Sequence, residues 1–138
     1  MHIMVTCRSL LLTPDDEVLI IRRSATDPQH PGTWDIPGGR AEPHETTTDT
    51  VVRETLEEVG VLVKNPQLVF AISKTRPEGS GTWLFFAERV DRDIEITLSD
   101  EHDDYQWVPF DELAQYTVYS VLADMQAYIV KQGLLEAI

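Results

Sequence analysis

With one cysteine, Cys7, in its 138 residues, the chain can form no intrachain disulfide and no cysteine-based metal cluster. No apolar run approaches the roughly 18–20 residues that a membrane span needs. Met1 to Leu12 has no basic segment leading into an apolar run, so it reads as a first strand rather than a secretion signal. A reducing, cytoplasmic setting is the expectation. Basic side chains are scarce as well: 11 Lys plus Arg stand against 24 Asp plus Glu, a formal charge of -13. Most of such a surface repels a polymer of phosphates, which argues against DNA or structured RNA as the main partner, and nothing points to a membrane. A small anionic ligand is different, because metal ions and a few local arginines reverse the field at a single cleft.

What is present is the composition of a folded domain, 42% of it hydrophobic. Without repeats, low-complexity tracts or a long linker, residues 1–138 read as a single domain. Met4–Leu12 and Val18–Arg23 are β-rich runs around a turn at Thr13-Pro14-Asp15-Asp16. Ser24–Pro37 is a proline- and glycine-punctuated loop. A helix is expected over Thr46–Val59, capped by Thr46 with Asp49 and ended by Gly60, with Val52, Leu56 and Val59 on its core face. Strands follow at Gln67–Ser73, Thr82–Val90 and Tyr105–Val108, with a turn at Pro77–Gly81. A short helix begins at Asp111, and a last one spans Val118–Lys131 with Val121, Leu122, Met125 and Ile129 inward. This order suggests an α+β fold, a mixed sheet with helices on both sides.

Chemistry concentrates between Gly39 and Val61. Glu54, Glu57 and Glu58 share one helix face at i, i+3 and i+4, and no Lys or Arg follows four residues on to compensate. A hard divalent cation is the natural compensation, since Mg2+ takes carboxylate oxygens. Arg53 adjoins the cluster and is placed to orient Glu45 or one of the carboxylates. The Pro37-Gly38-Gly39 turn lets backbone approach a ligand closely.

Gly39, Glu45, Arg53, Glu54, Glu57, Glu58, Gly60 and Val61 resemble the Nudix box, Gly-x5-Glu-x7-Arg-Glu-U-x-Glu-Glu-x-Gly-U, with U a bulky apolar residue. The entry Trp34-Asp35-Ile36-Pro37-Gly38 is similar to the family too. Thr55 departs at the first U, where its similar bulk should disturb packing little. His44 stands where a glycine often precedes the first glutamate, and Thr50-Val51 replace a common pair of small residues.

The resemblance implies an α/β/α sandwich and a Mg2+-dependent hydrolase of pyrophosphate links in nucleoside diphosphate compounds, with Mn2+ as an alternative ion. Glu54, Glu57, Glu58 and the Gly38 carbonyl would hold the metal, and Arg53 would fix the glutamates. The general base would be Glu101, in the loop Ser99-Asp100-Glu101-His102, or else Glu58; His102 is a third candidate by chemistry. Arg23, rather than its strand neighbour Arg22, would contact phosphate or base, and Trp34 either stacks on a base or packs in the core. Trp83 and Trp107 read as core, as do Met125 and Cys7.

Nucleoside triphosphates, damaged ones included, are the first substrate expectation. ADP-ribose or a nucleotide sugar is the alternative, for which Pro77, sixteen residues past Val61, is a weak indicator. A non-catalytic nucleotide-binding module would be expected to have lost box carboxylates, and none is missing. Isomerisation of an isoprenoid diphosphate would need a pocket cysteine, for which Cys7 is poorly placed. A messenger-RNA decapping role is disfavoured by the acidity. Members of the family are often homodimers.

Overall fold

The computed structural model describes residues 2–138. Strands β1 (His2–Leu12), β2 (Glu17–Arg23), β3 (Trp34–Asp35) and β4 (Gly38–Arg40) precede helix α1 (Thr47–Val59). Then come β5 (Gln67–Arg76), β6 (Gly79–Arg89), β7 (His102–Pro109), a 3-10 turn (Phe110–Gln115), α2 (Ser120–Gln132) and a last 3-10 turn (Leu134–Ala137). The strands form one mixed sheet in the order β3-β2-β1-β6-β5, with β4 also paired to β1 and β7 to β2. Only β1 and β6 run parallel, in register from His2–Gly79 to Leu12–Arg89; the other pairs are antiparallel.

Side-chain alternation along β1 assigns the two faces. Leu10 and Leu12 pack with Val18, Ile20, Phe85 and Ala87 beneath Leu122, Met125 and Ile129 of α2. Leu11, Leu19 and Ile21 point the other way, against Val59, Val61 and Val63 at the end of α1. Cys7 joins Val51 and Phe86 on that second side. Strands covered on both faces read as continuous apolar runs, which is how β1 and β2 appear in the sequence. On the α2 face the cover ends at Leu10; Met4, Thr6 and Arg8 further up β1 line an open cleft.

Helix α1 has the expected ends. Thr46 accepts from the Asp49 amide and Asp49 returns a bond to the Thr46 amide, while Gly60 takes the left-handed conformation at φ 74°. Other boundaries differ from expectation. α2 begins at Ser120, and Val118, expected inside it, is exposed on the approach. β5 and β6 run on to a two-residue turn, Pro77-Glu78, because Lys74–Gly81 and Arg76–Gly79 remain paired. Within the expected loop, Trp34–Asp35 pairs with Ile21 and Arg22, and β7 starts three residues early at His102. Among the described residues no helix is long and apolar enough to cross a membrane.

Candidate active site

Helix α1 and the short strand β4 bring the box residues together. Gly39 lies so close to Glu54 that a Cβ there would collide with the carboxylate, and a Cβ on Gly38, at φ 151°, would strike the Cys7 carbonyl and Arg8. Glycine at Gly38 is therefore a packing requirement, whereas a side chain at Gly39 would displace the Glu54 carboxylate. The Gly38 amide donates to Glu58 Oε1 at 2.7 Å, and the Gly38 carbonyl accepts from Arg8 Nη1 at 3.2 Å.

Arg53 knits the acids. Its Nε and Nη2 donate to the two oxygens of Glu45 at 2.6 and 3.0 Å, and Nη1 reaches Glu54 at 2.8 Å and Glu57 at 3.3 Å. That fork, helped by the Glu42 amide and the Thr50 hydroxyl, holds the Glu45 carboxyl down to about 2. Glu58 is in the opposite situation. It is 7% exposed and, among the described residues, has no cation in ion-pair contact. Burial pushes its carboxyl up to about 8, against the pull of the Gly38 amide and of Arg8. Burial also raises Glu54. Glu57 is more open, its side chain 59% exposed.

Across from α1, Glu101 sits on the exposed lip of the loop before β7. Ligand atoms of Glu58, Glu101 and His102 all lie within 4.8 Å of one another. His102 itself is buried, its Nδ1 has no hydrogen-bond partner, and desolvation pulls it down to about 4, so the imidazole is uncharged at neutral pH. Of the two arginines ending β2, Arg23 enters the cleft and pairs with Asp35 and Asp27, whereas Arg22 turns away to Asp103.

The cleft has a volume of about 990 Å³, at the upper end of ordinary ligand sites. Five of the chain's 11 Lys and Arg residues, Arg8, Arg23, Arg40, Lys74 and Arg76, line it. Glu54, Glu57, Glu58, Asp100 and Glu101 line it too, so a chain of charge -13 has a locally balanced cleft.

Three sequence expectations change. Trp34 lies outside the cleft lining; its ring packs on the core beneath the Arg22 guanidinium, which selects core packing over base stacking. Trp83, expected in the core, rests on the core edge but lines the cleft. Thr55 fits the core by bulk and is fully buried, but its hydroxyl has no hydrogen-bond partner among the described residues, a polar cost that bulk does not register. Lys74, Arg76 and Arg8 were missed. Alternation along β5 gathers Ile72, Lys74 and Arg76 on one face, but which face meets the cleft depends on pairing with β6. Cys7 is buried with its thiol pushed up to about 11, unsuited to act as a nucleophile.

A family model described as the NUDIX domain matches residues 4–127. The chain belongs to the Nudix family. It is thus a Nudix hydrolase, of the family that acts on phosphoric anhydride bonds of nucleotides. It is 33% identical to pig bis(5'-nucleosyl)-tetraphosphatase [asymmetrical] over 107 residues, covering 72% of this chain and 69% of that one. The rat counterpart, 35% identical, matches over only 59% of its own length. Nucleoside triphosphatase NudI of Klebsiella pneumoniae is 28% identical, over 91% of this chain and 94% of the relative. Among solved structures, the MutT protein of Methanosarcina mazei superposes with a TM-score of 0.82 at 25% identity, covering 95% of both chains. The Nudix sandwich, a mixed sheet between α1 and α2, is therefore the fold of this chain.

Proposed function

We propose that this Nudix hydrolase cleaves a pyrophosphate link of nucleoside triphosphates with the help of Mg2+, releasing a nucleoside monophosphate and pyrophosphate. The observation that carries this reading is Glu58: a buried carboxyl with no cation in ion-pair contact among the described residues, facing a cleft that gathers five basic side chains. Burial disfavours ionising that carboxyl unless a cation joins it. The donors around it are hard oxygens, which suits Mg2+ or Mn2+. Glu54, Glu57, Glu58 and the Gly38 carbonyl would hold the ion, whose chemistry when bound is Lewis-acid polarisation of the phosphoryl group.

The rest falls to the chain's own side chains. Arg53 keeps Glu45, Glu54 and Glu57 in fixed positions. Arg23 neutralises phosphate oxygens. Glu101 on the lip takes the proton of the attacking water as its oxygen bonds to phosphorus and the bridging P–O bond breaks, pyrophosphate leaving with the electron pair. Glu58 is the second candidate for that proton. Lone, buried Cys7 suits a reducing, cytoplasmic setting.

A second reading is favoured by cleft length. Lys74 and Arg76 lie on β5, across the sheet from the acids of α1, and a substrate with more phosphates or a second nucleoside would reach them. The pig and rat relatives carry a name of that kind. A hydrolysis panel decides: triphosphates, damaged nucleotides, ADP-ribose, nucleotide sugars and dinucleoside polyphosphates, with Mg2+ and resolved products. Mg2+-dependent pyrophosphate release from triphosphates is expected. Turnover of dinucleoside polyphosphates alone would establish the second reading. Silence throughout, with one compound still raising the melting temperature, would mark a binding module and overturn hydrolysis.

A further inference from the structure

The acid chemistry leaves Trp83 without a task. Of the chain's three tryptophans, it alone lines the cleft. β-Register places it beside Thr6 of β1 and opposite Ile72 of β5, with Gly81 two residues earlier on the same face, between Met4 and Lys74. The indole reaches back over Gly81, where a Cβ would come within 2.8 Å of the ring's Cη2. Glycine thus leaves the space in which the ring lies along the strand. Over the ring sits the Arg76 guanidinium, 5.4 Å from its centroid. Arg76 is exposed and has no carboxylate in ion-pair contact among the described residues, in a chain with 24 acids. An aromatic ring and a guanidinium held only by that ring are a pair of planar groups at the cleft wall.

We propose that the Trp83 indole is the platform on which the substrate's nucleobase stacks, with Gly81 supplying room for the ring and Arg76 yielding its position to the base. The inference rests on reading the cleft as a nucleotide site. A cation–π contact at an exposed position is weaker than the stacking of a base on an indole, so the exchange is favourable. The freed guanidinium then lies beside a strongly anionic ligand. Every base has a π-face, so this platform selects nucleotides over base-free polyphosphates and tolerates different bases, purines stacking better through their larger overlap.

The test is calorimetric binding of α,β-methylene-ATP and of inorganic tripolyphosphate to the Mg2+-loaded protein. Trp83→Leu, which keeps apolar bulk on the sheet, should weaken the nucleotide analogue about tenfold and leave tripolyphosphate within twofold. Trp83→Phe should retain most of the affinity. The analogue should quench indole emission in the wild type and leave that of Trp83→Phe, which reports Trp34 and Trp107, little changed. Wild-type affinity in Trp83→Leu, or equal loss of both ligands, would overturn the proposal, the latter by showing that the ring serves only the shape of the cleft. Should Trp83→Leu not fold, Gly81→Val replaces it: the displaced ring should weaken the analogue selectively, and unchanged binding would overturn the proposal. The two readings fail separately. Analogue binding through Trp83 without turnover of any panel compound keeps the platform and loses the hydrolase; triphosphate hydrolysis with a KM indifferent to Trp83→Leu does the reverse.

Discussion

At the α1 end of the cleft, Arg53 hydrogen-bonds to three carboxylates and a peptide carbonyl, and a Cβ on either of two glycines would collide with a neighbour. At the β5–β6 end, Arg76 is exposed and held by one ring, Trp83 is half-buried, and half-buried Lys74 reaches Asp124 and Ser120 of α2. The first region is over-determined: each group is fixed by several others, as chemistry at a phosphorus atom demands. The second is more adjustable: Arg76 can change without disturbing a core, and Trp83 rests only on the core's edge. Hydrolytic machinery and substrate choice are thus separated along one cleft, in the way that lets a single fold serve many substrates.

Substitutions at the two ends should differ accordingly. Glu58→Gln removes the buried charge with little change of shape, and turnover should fall on the order of a thousandfold with the fold retained. Steady-state kcat at saturating Mg2+ measures it; near-normal turnover would remove Glu58 from the machinery. A single methyl should come next. Gly39→Ala pushes on the Glu54 carboxylate and should lower kcat about a hundredfold, whereas Arg76→Ala, which deletes a whole charged side chain, should raise KM several-fold and leave kcat alone. Equal effects on kcat from both would erase the distinction between the regions.

Stability offers two finer contrasts. Glu58 titrates near 4.5 when unfolded and at about 8 when folded and metal-free. The folded state therefore holds a proton that the unfolded state releases, and metal-free stability should decline as pH rises from 4.5 to about 8, then level off. Each unit of that shift is worth about 1.4 kcal/mol, and saturating Mg2+ should flatten the profile in thermal melts. Glu58→Gln should flatten it without metal. On the core side of α1, Thr55→Val replaces an unpartnered buried hydroxyl by a methyl and should stabilise by about 1 kcal/mol, read as a higher denaturant midpoint. A lower midpoint would mean that the hydroxyl has a partner in solution.

The same division explains what the sequence could tell. The α1 region lies within 23 consecutive residues, Gly39–Val61, and its capping, glycines and acid spacing are all local signals. β1, β2 and α2 were legible from apolar periodicity. The far wall was not, because Lys74, Gly81, Trp83 and Met4 meet only through the β1–β6–β5 register. Nor does a single tryptophan announce whether its strand face is covered: α2 covers Phe85 and stops short of Trp83. For Trp34 the sequence left stacking and core packing open, because both put an aromatic ring at the start of a short strand; its ring packs on the core.

Mn2+ binding, followed by its electron paramagnetic resonance signal, tests the central claim most directly, because it asks of the acid set what it holds before any substrate is involved. The wild type should bind at least one Mn2+ per chain in competition with Mg2+, and Glu58→Gln should bind it at least tenfold more weakly. Equal Mn2+ affinity in the two proteins would contradict the assignment of the buried carboxylate to the metal.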